Sequence, residues 1–167
     1  MTIATAVLFS LTLAGGLASC SSGDDAGDAG GDGGGGGLTL TDPWVKAADE
    51  GMTGLFGTLV NDTDEDVLLV AGTSPAAARV ELHTTAMGED GSMVMTPVED
   101  GFVVPANGTH TLEPGADHIM LMELAEPLEP GAEVELHLET ADGQALDVVA
   151  VARTFAGGQE EYEPADD

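Results

Sequence analysis

Residues 133–139 read "EVELHLE". Polar and apolar side chains alternate strictly, and successive side chains of an extended strand point to opposite faces. Val134, Leu136 and Leu138 therefore share one face and turn to a core, while Glu133, Glu135 and His137 turn to water. A helix would scatter both sets around its axis. The stretch reads as a half-buried strand, and its neighbours are read in the same light.

Comparable short runs occupy 38–40, 54–61, 67–73, 78–85, 92–97, 101–104, 108–112, 118–124 and 145–153. Turn-forming stretches such as "NDTDED", "GEDG", "EPGAD", "LEPGAE" and "ADG" separate them. Short strands at near-regular spacing, with little helical periodicity, predict an all-β sandwich or barrel over residues 38–156. Trp44, the only tryptophan, is expected to anchor the core.

The flanks differ in kind. Residues 3–17, "IATAVLFSLTLAGGL", are apolar but too few to span a bilayer. They run into "LASC", which ends at Cys20. Small residues before a lone cysteine resemble the lipobox of bacterial lipoproteins. That resemblance implies a signal peptide over 1–19, a diacylglyceryl group on the Cys20 thiol, and a protein anchored on the outer, extracytoplasmic face of the cytoplasmic membrane. The opening "MTIATA" lacks the basic residues with which export signals usually begin. Cys20 is the sole cysteine, so no intramolecular disulfide can form. Residues 20–37, almost wholly Gly, Asp, Ser and Ala, cannot bury a core and read as a disordered acidic tether. Residues 157–167, "GGQEEYEPADD", read as a disordered acidic tail.

Acidic residues number 31 against three basic ones, for a net charge of −28. Such a surface repels phosphate backbones and excludes nucleic acid as a partner. It repels anionic lipid headgroups too, so attachment to a membrane has to be covalent or hydrophobic. Strong ionic screening would relieve the self-repulsion, which fits a salty habitat.

Chemistry concentrates in "ADHIMLMEL", residues 116–124. Alternation puts His118, Met120 and Met122 on one face and Ile119 and Leu121 on the other. Met93 and Met95 likewise share a face opposite Val94, and His83 shares one with Glu81 opposite Leu82. Three strands thus carry imidazole or thioether away from the aliphatic side. Methionine also fills cores, but core packing would favour the aliphatic face. Neutral soft sulfur with imidazole, and no thiolate, suits Cu(I) better than zinc, calcium or magnesium. An exposed site of this kind is expected, with acid weakening it through the histidines and not through the thioethers. A blue-copper site needs a cysteine thiolate, and Cys20 lies far outside the unit. No nucleophile–base constellation appears, so an enzyme is not expected. His110 and His137 read as surface residues, Asp117 as a turn residue or a partner to a ligand, and Met122 as packing at the rim.

The run "ARVELHTTAMGEDGSMVMTPVEDGFVVPANGTHTLEPGADHIMLMEL", residues 78–124, resembles the periplasmic copper chaperone family PCuAC. "DPWVKAADEGMTGLFGTLVN" and "LLVAGTSPAAA" resemble the opening of those domains. The resemblance implies a cupredoxin-like β-sandwich of Greek-key type with Cu(I) held by His83 of "ELH", Met95 of "MVM", and His118 and Met120 of "HIM". The interval from Met95 to His118 is one residue longer than the family's usual form, which keeps Met93 as a substitute for Met95. Thr84 stands where the family often has a methionine, and Met87 is a candidate auxiliary ligand. The implied acceptor is a copper centre of cytochrome oxidase or a Sco-type thiol protein. The alternative is a surface lipoprotein that binds no metal and whose methionines only pack.

Overall fold

The computed structural model describes residues 37–88, 91–157 and 161–162; the expected signal peptide over 1–19, Cys20 and the expected tether up to residue 36 lie outside them. The strands are β1 (Leu38–Lys46), β2 (Met52–Asn61), β3 (Val67–Thr73), β4 (Ala77–Met87), β5 (Met93–Pro97), β6 (Phe102–Val104), β7 (Gly108–Leu112), β8 (His118–Leu124), β9 (Glu133–Thr140), β10 (Ala145–Arg153) and β11 (Glu161–Tyr162). No helix occurs among the described residues. The founding stretch holds: β9 alternates exposed and buried without a break.

Hydrogen-bonded neighbours run β11-β5-β4-β8-β2-β1-β10-β9-β3-β6, with β7 on β2. β1 lies parallel to β10 and β11 parallel to β5; the other pairs are antiparallel. β2 pairs with β8 through Met52–Leu55 and with β7 from Gly57 onward. Gly57, with φ at 150°, is the switch: a Cβ there would stand 2.9 Å from the Thr41 carbonyl oxygen. The ladder folds back on itself, so β3 crosses close over β4. At Gly72 an added Cβ would lie 2.9 Å from Cγ1 of Val80. Between the layers sits one aliphatic core that includes Val45, Leu55, Leu59, Leu82, Ile119, Leu121, Leu136, Leu138 and Val148. Burial of so many aliphatic side chains is the main favourable term in folding.

Two expectations change. The first strand continues past 40 to Lys46, across a register shift between Thr41 and Trp44. That bulge takes up Pro43, which has no N–H for the ladder, and Asp42 at a φ of 50°. Trp44 does not enter the core. Its neighbour Val45 fills that side with no exposed surface, so alternation turns Trp44 outward. There it packs half-buried on Phe56 at 4.6 Å and Phe155 at 5.6 Å between ring centroids. Within 157–167, Glu161–Tyr162 pairs with Val94 and Met95 of β5.

Candidate metal centre

The four strands β5, β4, β8 and β2 lie side by side, so cross-strand partners share a face. His83 pairs with His118, Glu81 with Met120, Thr85 with Met95, and Met120 also with Gly54. His83, Met95, His118 and Met120 are therefore gathered on one face of the ladder. Leu82, Ile119 and Leu121 point through it into the aliphatic core. The thioethers of Met95, Met120 and Met122 form a second apolar cluster, separate from that core.

This face is covered, which corrects the expectation of an exposed site. His83 is 0% exposed, His118 2%, Met120 4% and Met95 6%. Nonlocal segments provide the cover: Lys46 at the end of β1, Ala48 just beyond it, and the turn at Pro114 and Gly115 line a cavity of about 180 Å³ with Phe56, Met95, His118 and Met120. The Thr53 hydroxyl donates to the Lys46 carbonyl, and Thr85 N–H donates to Ala116 O at 3.2 Å, so both flaps are tied to the ladder. Gly54 keeps the cavity open for Phe56, since a Cβ there would lie 2.6 Å from Cζ of that ring. The Phe56 and His118 centroids stand 6.0 Å apart.

The two imidazoles are fixed from outside. His118 Nδ1 lies 2.8 Å from the Ala116 carbonyl oxygen, which can only accept, so Nδ1 carries the proton and Nε2 keeps its lone pair. His83 Nε2 donates to Glu81 Oε2 at 2.9 Å, which leaves Nδ1 as the basic nitrogen. Glu81 is itself held by the Arg79 guanidinium, which also reaches Glu123 at 3.1 Å. A carboxylate or carbonyl behind each histidine is the usual way to orient a metal-binding ring. Two imidazoles and two thioethers, buried and pre-oriented, form a donor set suited to a soft monovalent ion.

The remaining candidates separate cleanly. Met93, the substitute for Met95, is 41% exposed, and Met87 is 74% exposed. Met122, expected at a rim, is 5% exposed inside the thioether cluster, because Met52 and Arg79 flank it across β2 and β4. His137 stays on the wet face beside Asp147. His110 is half-buried, stacked on Phe102 at 4.9 Å, with Nε2 3.0 Å from Asp117 Oδ2. Sequence reading did not identify Phe56, Gly54 or Lys46 as cavity residues, nor Glu81 as the partner of His83. Only the i, i+2 spacing of Glu81 and His83 on one strand hinted at the latter.

The LpqE-like lipoprotein family signature matches residues 38–152. The chain belongs to the LpqE-like family. A relative in Leifsonia xyli subsp. xyli, named as a lipoprotein, is 35% identical over 165 residues, covering 97% of this chain and 99% of its own. Solved structures give the LpqE-like chain its fold. The "Copper-bound PCuAC domain from PmoF2" superposes with a TM-score of 0.60 at 21% identity, covering 72% of this chain and 95% of that one. The solution structure of the copper(I) form of DR1885 from Deinococcus radiodurans superposes with a TM-score of 0.55 at 31% identity, covering 74% and 85%. The LpqE-like chain thus has the expected cupredoxin-like β-sandwich.

Proposed function

We propose that this chain is an extracytoplasmic copper chaperone, held to the membrane by a lipid on Cys20. It binds one Cu(I) ion through Nδ1 of His83, Nε2 of His118 and the sulfurs of Met95 and Met120. The observation that carries this reading is the convergence, on one covered face, of four side chains from three strands. Copper in two structural relatives supports it. Without a thiolate or carboxylate among the donors, the bound ion keeps its single positive charge and low coordination number.

Delivery proceeds by ligand exchange. An acceptor thiolate enters beside His118, forms a Cu–S bond as a thioether leaves, and draws the ion across with no change of oxidation state. A thiolate outcompetes a neutral thioether for Cu(I), which gives the transfer its direction. A Sco-type thiol protein or a copper centre of cytochrome oxidase has that chemistry. The Gly- and Asp-rich composition of residues 20–37 suits a linker between a lipid on Cys20 and the module.

X-ray absorption of the full chain loaded with Cu(I) tests the assignment. Both nitrogen and sulfur scatterers are expected at one copper per chain. A shell devoid of sulfur overturns it, and so does undiminished binding in the double variant His118→Ala, Met120→Ala.

A further inference from the structure

Met87 and Met93 face each other across the β4–β5 ladder as register partners. Side chains so placed lie on one face with Cβ atoms about 5 Å apart. Among the described residues Met87 is the most exposed large apolar side chain, at 74%, and Met93 is 41% exposed. Core packing accounts for neither, since both are exposed and neither belongs to a buried cluster.

Their position relative to the proposed copper centre is the informative part. Met95 follows Met93 by two residues on the same strand and face, about 7 Å along it. Met95 is buried at 6% exposure in contact with the Met120 and Met122 cluster. The thioethers therefore form a row, from an exposed pair at the hairpin tip to a buried group beside His118. Beside the pair, Gly88 N–H donates to Ser92 O at 2.8 Å and Gly91 takes a φ of 84°.

We propose that Met87 and Met93 form a second, weaker site for a soft monovalent cation, Cu(I) or Ag(I), through which the ion enters and leaves the buried centre. The inference rests on the copper reading above and adds a route to it. Two thioethers on flexible three-bond arms satisfy an ion content with two ligands. Lacking imidazole and facing water, the pair binds more weakly than the centre and releases its ion readily. In the transfer step the ion stays monovalent. A Cu–S bond to Met93 breaks as one to Met95 forms, and no proton or electron moves. The net charge of −28 attracts cations to the protein as a whole. Its hard carboxylate oxygens do not displace sulfur from a soft ion.

The test uses the full chain carrying methyl-¹³C methionine, titrated with silver nitrate and followed by NMR. The first equivalent is expected to shift the Met95 and Met120 methyls, and the second those of Met87 and Met93. The double variant Met87→Leu, Met93→Leu is expected to lose the second step, keep the first, and load the buried centre with Cu(I) more slowly. Met87 and Met93 methyls that stay still in excess Ag(I), once Met95 and Met120 have saturated, overturn the surface site. A variant that loads as fast as its parent overturns the entry route. If the Met95 and Met120 methyls themselves never move, the buried centre is what fails, and the two failures are told apart in one titration.

Discussion

His83 and His118 are register partners on adjacent strands, their ring centroids 5.8 Å apart and their planes at 71°. Each ring is tethered on its outer side, one by a carboxylate and one by a backbone carbonyl, so the basic nitrogens stay on the site face. The geometry exists before any ion arrives.

Glu81 should therefore matter although it is not itself a proposed ligand: it holds His83 and stands across the ladder from Met120. Replacing Glu81 with Ala is expected to weaken Cu(I) binding by about 10–100-fold, the usual cost of losing such an orienting partner. Glu81→Gln keeps an acceptor for Nε2–H and is expected to recover most of that loss. Competition against a Cu(I) chelator measures both.

Met122 and Ile119 lie on opposite faces of β8, both buried. Met122→Leu conserves volume, so a cost below about 1.5 kcal/mol is expected, with copper still bound at one per chain. Ile119→Ala empties part of the aliphatic core and is expected to cost about 2–5 kcal/mol. Urea unfolding gives the energies, and metal analysis of the loaded chain gives the stoichiometry.

Gly54→Ala puts a methyl where the Phe56 ring now lies, 2.6 Å from its Cζ. The ring must move within the cavity it shares with His118. A loss of about 1–3 kcal/mol is expected from this overpacking, together with weaker Cu(I) binding. An unchanged unfolding midpoint would mean the ring shifts without strain.

Trp44 packs on Phe56, and Phe56 lines the cavity, so the only tryptophan reports on the site at one remove. Its emission is expected to change on adding Cu(I) and to saturate at one equivalent. The His118→Ala, Met120→Ala variant is expected to abolish the response.

Asp142 accepts hydrogen bonds from the Thr140 hydroxyl, the larger effect, and from the Gln144 side-chain amide, and these hold its carboxyl below the usual carboxylate range. With the folded value lowered, its stabilisation is present above the unfolded value of about 3.9 and disappears as pH falls through the folded one. Asp142→Asn is expected to flatten that part of the acid limb below about pH 5, measured as urea midpoints against pH.

Most strands were legible because period-two alternation is a local property, which β9 and β10 carry without a break, and because turn residues bound the other segments. β1 was read too short because Pro43 and the bulge beside it interrupt the pattern that pairing with β2 restores. Trp44 was misplaced because size suggests a core residue, whereas the parity set by Val45 decides its face. Glu161–Tyr162 gave no signal, since two residues in a polar stretch have no periodicity to read.

By itself the sequence determined the donor types, their parity on each strand, and the lack of a thiol near them. Those are facts of chemistry and of side-chain alternation, and no distant contact can alter them. Only the tertiary structure decided that Met95 is enclosed while Met93 stays wet, that the centre is covered, and that Glu81 and Ala116 orient its histidines. Burial depends on which remote segments fold over a face. Here the end of β1 and the turn at Pro114 close over β4, β5 and β8, and no local pattern encodes that meeting.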